Sequence, residues 1–208
     1  MMAAERKRNS EAKTSDIMAE IKILEQTPER ARVQIKGTTF TSINALRRAI
    51  LNSVPTLAIE NVTIYKNDSI IFDEFLAHRL GLLPVRTDLK TYHLGDKVKM
   101  VLEKEGPCTV YAKDIKISDP KIEIVGDHIP ITEIRKGGTI QIEMEAVLAT
   151  GREHVKWQPA TVGYEQKSGD TFILNIESTG ALDVDEILDA AFKSLLEKNS
   201  ELEKEIKK

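Results

Sequence analysis

The 208-residue chain has a single cysteine, Cys108. One thiol excludes an internal disulfide, a paired-cysteine redox motif and any cysteine-rich zinc or iron–sulfur site, and it fits a reduced, cytoplasmic setting. No stretch approaches the roughly 18 consecutive apolar residues of a membrane-spanning helix. The N-terminal segment is charged and has no apolar core of the kind a secretory signal carries. Basic excess is missing too. Lys and Arg total 30 against 33 Asp and Glu, a formal charge of −3, which argues against a chain devoted to coating nucleic acid. Phosphate-binding glycine loops, a G-x-S-x-G elbow and an H-E-x-x-H helix are all lacking. His78, His93, His128 and His154 are far apart and have no second ligand at metal spacing, so each reads as structural or surface. The acidic pairs Asp73-Glu74 and Asp183/Asp185/Glu186 sit at helix starts, where the helix dipole and free amides favour carboxylates. Cys108, after Pro107, reads as a small packed residue.

What is present is a β-rich pattern with amphipathic helices towards both ends. Residues 1–15 carry four basic and two acidic side chains and little to bury, and are expected to form a disordered tail. Ile17, Ala19, Ile21 and Ile23 alternate, turn at 26–30, and alternate again through Val33 and Ile35. This predicts a hairpin with one buried face. Ile43, Leu46, Ile50 and Leu51 then make a helical stripe, with Thr41 or Ser42 as cap and Pro55 as terminator. Residues 57–72 return to strand. A short helix follows, capped by Asp73 and stopped by Gly81 in a left-handed conformation. From 88 to 160 only alternating segments occur, including Val98–Leu102, Ile115/Ile117, Ile122/Ile124 and Ile140–Met144. A strand over 171–177 precedes a long helix capped by Asp183, with Glu186 completing a capping-box pair. The fold class is α+β: one domain built from both ends (16–55 and 165–208), with a β-rich domain (56–164) inserted between.

The last helix has two readings. Leu188, Leu195 and Leu202 recur every seven residues, and Phe192, Asn199 and Ile206 repeat with an offset of four. Such a seam suits helix–helix pairing. The alternative is a helix lying on its own sheet. Ile187, Ala191 and Leu196 widen the apolar surface beyond what one sheet covers, which favours a second protein. Arg47 and Arg48 read either as a solvated flank or as a protein contact, since guanidinium suits bidentate carboxylate binding. Arg152, Glu153 and His154 cluster in one loop and give the alternative of a small β-rich enzyme.

Four separated strings carry a resemblance: Asn44–Leu51 (NALRRAIL), Asp73–Pro84 (DEFLAHRLGLLP), Thr150–Pro159 (TGREHVKWQP) and Phe172–Gly180 (FILNIESTG). In consistent order, they resemble the alpha-subunit family of DNA-dependent RNA polymerases, the assembly-platform family, in its archaeal branch. The resemblance implies a non-catalytic scaffold with a discontinuous dimerisation domain and an insert domain. It implies a heterodimer with the small subunit L, then docking of subunits N and P and of the second-largest and largest catalytic subunits. A homodimer of the bacterial kind is the alternative. On this resemblance Ile43, Leu46, Ile50, Leu51, Ile187, Leu188, Ala191, Phe192 and Leu195 form the dimer interface, and Arg47 and Arg48 contact the large subunits. The catalytic metal and nucleotide site would lie on other chains. No cofactor is expected, neither the iron–sulfur cluster nor the zinc of some relatives, because only Cys108 is available. Nor is a small-molecule substrate, a membrane or specific DNA expected as a ligand. The bacterial DNA-binding C-terminal domain is expected to be absent.

Overall fold

The computed structural model describes residues 19–207, so the expected tail at 1–15, and Ile17 with it, lies outside the described residues. The chain opens with β1 (Glu20–Gln26), β2 (Arg30–Lys36) and α1 (Phe40–Ser53). It continues through β3 (Pro55–Asn67), α2 (Asp73–Gly81), β4 (Lys97–Glu105), β5 (Cys108–Tyr111), β6 (Lys116–Ile117), β7 (Pro130–Ile134) and β8 (Thr139–Thr150). β9 (Ala160–Ser168), β10 (Thr171–Ser178) and α3 (Val184–Ile206) complete it. Single 3-10 turns occur at Ala112–Asp114 and Val155–Trp157.

Strands from the two ends of the sequence share one antiparallel sheet, ordered β1-β2-β10-β9. Inward residues of that sheet, among them Val33, Ile35, Phe172 and Leu174, join Ile43 and Ile50 of α1 and Ile187 and Ala191 of α3 in one apolar core. The intervening chain forms a second antiparallel sheet, β3-β8-β4-β6, and a two-stranded ribbon, β5-β7. Its own core gathers Leu76 and Leu80 of α2 with Leu57, Met100, Leu102, Ile142 and Leu148. Several small contacts join the two cores, among them the following. Ala58, Ala149 and Trp157 pack together. Thr56 Oγ1 donates to the Trp157 carbonyl at 2.8 Å. The Arg86 guanidinium bridges to Asp183 (2.9 Å) and Glu186 (3.2 Å) at the start of α3. The hydrogen bond to Asp183 raises the Arg86 pKa further above its ordinary value.

Local details depart from the sequence reading in five places. β9 begins at Ala160, and Ala160 and Val162 are buried in the first core, so residues 160–164 pack with the chain ends rather than with the middle block. The outward/inward alternation of a sheet-end strand carries no mark of which core it serves. The hairpin has its buried face on β2 alone; every residue of β1 is exposed. α1 starts two residues early, with Thr39 as cap accepting from the Ser42 amide at 3.2 Å. Phe72, not Asp73, is the cap of α2, and Gly81 is its last helical residue without a positive φ. Ile115, Ile122 and Ile124 are buried, but only residues 116–117 pair as a strand and Ile124 makes an isolated bridge to Val85. At the start of α3 the expected pair forms: Glu186 Oε2 accepts from the Asp183 amide at 2.9 Å.

Candidate functional site

α1 and α3 pack on each other, and β1, at the edge of the first sheet, is exposed along its length. Side chains alternate faces along a strand, so Ile21 and Ile23 share the face of their partners Ile35 and Val33. Val33 and Ile35 are covered, whereas Ile21 and Ile23 stay 60% and 56% exposed. Leu24, at a register shift between Ile23 and Glu25, is exposed too. The result is an apolar groove of about 130 Å³, floored by Val33, Ile35, Leu46 and Leu174 and walled by Ile21 and Ile23 on one side and Leu188 and Phe192 on the other. A polar clasp closes one end: Gln26 Nε2 donates to Asp185 Oδ1 at 2.6 Å.

α3 continues the groove as an open face. Val184, Ile187 and Ala191 point into the chain's own core. Leu188 and Leu195 are half-buried, Phe192 is 43% exposed and Leu196 is 71% exposed. From Leu196 to Lys207 every residue is exposed, including Leu202 and Ile206. The seven-residue seam therefore runs from Leu188 and Leu195, half-buried against the first core, to Phe192, Leu202 and Ile206, which are exposed among the described residues.

This sorts the expected interface residues by position. Ile43, Ile50, Ile187 and Ala191 are fully covered by their own chain and have no surface left to offer, which corrects their assignment to an interface. Leu46 is nearly buried yet reaches the groove floor. Leu51 is half-buried against the first core. Leu188, Phe192 and Leu195 lie at the open face. Ile21 and Ile23 belong with them and were not anticipated, because an alternating strand reads as one covered by its own fold. The two arginines also part company. Arg47 Nε donates to the Val162 carbonyl at 3.1 Å and ties α1 to β9, so it serves the fold. The Arg48 guanidinium has no partner among the described residues.

The loop at 152–154 does not converge on one pocket. Arg152 lines a cavity beside α1 and α3, while His154 lines another beside α2. His154 Nδ1 accepts from the Lys156 amide at 3.2 Å, a capping contact. Among the described residues no three His, Cys, Asp or Glu side chains gather as a metal site, and no helix is long and apolar enough to cross a membrane.

Residues 32–199 match the family described as "RNA polymerase Rpb3/Rpb11 dimerisation domain". The chain belongs to this family. The matched span runs from β2 into α3 and takes in both cores, the groove floor and part of the open seam. Within the Rpb3/Rpb11 family the chain is similar to DNA-directed RNA polymerase subunit Rpo3 of Methanocaldococcus jannaschii, 44% identical over 155 residues, covering 74% of this chain and 79% of that one. It is 43% identical over 162 residues to Rpo3 of Methanosphaera stadtmanae, covering 70% and 60%. It is 40% identical over 154 residues to Rpo3 of Pyrococcus horikoshii, covering 71% and 60%. The match thus spans about three fifths of the length of the latter two relatives.

Proposed function

We propose that the chain is a non-catalytic, alpha-like assembly subunit of a DNA-directed RNA polymerase, and that it works by pairing with a smaller subunit through the β1–α3 groove. One observation carries the pairing: an apolar groove continues into a helix face whose C-terminal half, from Leu196 on, is exposed among the described residues. The uncovered parts of Ile21, Ile23, Phe192 and Leu196 amount to slightly more than two whole side chains. Covering them contributes roughly 3–7 kcal/mol, before Leu202 and Ile206 are included. Because association itself costs at least about 4 kcal/mol, cover of the groove alone leaves little surplus, and a partner that also covers Leu202 and Ile206 pairs more tightly. Asn199 in the seam then selects register or partner at some cost in stability.

The finer reading follows the family. The partner is the small subunit L. The pair, with the first core as its dimerisation domain and the second as an insert domain, then docks subunits N and P and the second-largest and largest subunits in the cytoplasm. Arg48, whose guanidinium has no partner among the described residues, is the contact to the large subunits. No metal or cofactor enters this role. The test is co-expression of the full chain with a candidate small subunit, followed by mass measurement of the purified species. A one-to-one complex is expected. A stable, soluble monomer that ignores the partner contradicts the reading, and a homodimer replaces it with the bacterial-type arrangement.

A further inference from the structure

α3 is held at its base and open beyond it. Of its 23 residues, none of those described past Ala191 is buried. About 22 Å of helix follow Ala191, so a change of direction of about 10° there carries Ile206 about 4 Å sideways. Lys198 Nζ donates to the Ser53 hydroxyl at 2.6 Å, a tie between two exposed side chains. The apolar contacts of Val184, Ile187 and Ala191 keep α3 on its core, but apolar burial has no preferred direction. Directional bonds gather at the first turn. The Val184 amide donates to the Pro28 carbonyl of the β1–β2 turn at 2.9 Å, and on the groove side Gln26 holds Asp185. The other hold comes from the second core. Val85 is fully buried there, the Arg86 amide donates to the Glu123 carbonyl, and the Val125 amide donates to the Pro84 carbonyl, both at 2.8 Å. From this anchored backbone the Arg86 guanidinium reaches Asp183 at 2.9 Å and Glu186 at 3.2 Å, and the Thr87 amide donates to the Ala181 carbonyl at 2.8 Å. The two backbones approach closely: a Cβ at Gly180, whose φ is +97°, would lie 2.7 Å from Val125 Cγ1.

We infer that Arg86 is a positioning residue for pairing: from the second core it sets the direction in which α3 leaves its first turn, and through that the fit of the open helix face to the partner. The inference rests on the pairing reading above. Arg86 does not line the groove, so it acts only through the carboxylates it holds. Those carboxylates belong to the cap. Glu186 Oε2 serves two donors at once, the Asp183 amide and the Arg86 guanidinium, so the bond that starts the helix and the bond that ties it to the second core share one oxygen. A planar fork of donors spans Asp183 and Glu186 together, which a point-like ammonium does less well. Linkage makes the effect reciprocal: whatever the tie adds to pairing, pairing adds to the tie. The second core thereby reports on the groove without touching the partner.

The test is titration calorimetry of the full chain against the small subunit. Arg86→Gln is expected to weaken pairing about three- to tenfold, as loss of two partly exposed bridges predicts. Arg86→Lys keeps the charge without the fork and is expected to recover part of the loss. Arg32→Gln removes a 3.2 Å bridge to Glu165 on the outer face of the first sheet and is expected to leave pairing unchanged. In the unpaired chain, energy transfer is followed from Trp157, the one tryptophan, to an acceptor on Lys204→Cys in a Cys108→Ser background. It is expected to change in Arg86→Gln and to return towards the parent value in Arg86→Lys. Unchanged pairing of Arg86→Gln overturns the inference. So does an equal loss in Arg32→Gln, which marks general destabilisation. If Arg86→Gln does not fold, Glu186→Gln takes its place: its amide oxygen keeps the bond to the Asp183 amide and loses only the charge facing Arg86, and unchanged pairing there overturns the inference equally. A chain that pairs with no small subunit removes the assembly reading. Altered energy transfer in Arg86→Gln then still upholds the setting of α3 by Arg86, and unaltered transfer removes both.

Discussion

Replacing Ile23 by aspartate separates the pairing surface from the chain's own fold. Ile23 is 56% exposed on β1, so its own chain buries less than half of it. Losing that half costs the isolated chain about 0.7–1.3 kcal/mol, with up to ~1 kcal/mol more from the lower strand preference of aspartate. The new carboxylate stays in water, so the fold survives. In the pair the same position is covered. The exposed part of Ile23 contributes about 0.8–1.7 kcal/mol there, and a dry, unpaired carboxylate adds a penalty of several kcal/mol. Ile23→Ala should therefore weaken pairing about 4–20-fold, and Ile23→Asp by roughly three orders of magnitude. Titration calorimetry against the small subunit, alongside thermal melting of the single chain, reads both effects. Unimpaired pairing of Ile23→Asp would refute the placement of β1 under the partner. An unfolded single chain would show that the groove wall supports the fold instead.

Other outcomes test the chain's internal construction. A Cβ at Gly151 would lie 2.0 Å from the Leu51 carbonyl, so Gly151→Ala should destabilise the chain by about 1–3 kcal/mol or more in urea unfolding, with the loss traced to the end of α1. Thr87 Oγ1 accepts from the Leu57 amide at 2.9 Å in a buried setting, so Thr87→Val should orphan that amide and cost ~1–3 kcal/mol by the same measurement. Tyr92 donates to Asp119, and this bond, reinforced by burial, pushes the phenol up to about 12 while holding the Asp119 carboxyl below its ordinary value. The raised phenol contributes stability that is complete below its unfolded pKa of about 10 and lost as pH rises through about 12. The depressed carboxyl contributes above the unfolded aspartate pKa and loses that contribution as pH falls through its lower folded value. Absorbance titration should show a phenol titrating near 12 that disappears in Tyr92→Phe, and carboxyl NMR should show Asp119 moving upward in that variant.

Periodicity made the main elements legible. The stripe of α1, the capping pair of α3 and the alternation of β4 and β8 are local signals, and each produced its element. Face assignment was less legible, because burial depends on what lies opposite. Ile21 and Ile23 alternate as cleanly as Val33 and Ile35, yet only the latter pair lies under the helices. Likewise Ile187 and Leu188 are adjacent and equally apolar, but one turns inward and the other towards the groove. Arg47 and Arg48 differ only in the direction their helix gives them.

Hydrogen–deuterium exchange of the full chain, alone and with the small subunit, tests the central claim most directly. The account predicts that protection on pairing rises in β1 and along α3 from Leu188 to Ile206, while β4 and β8 in the second core stay unchanged. Equal exchange of α3 in both samples, or protection confined to the second core, would contradict it.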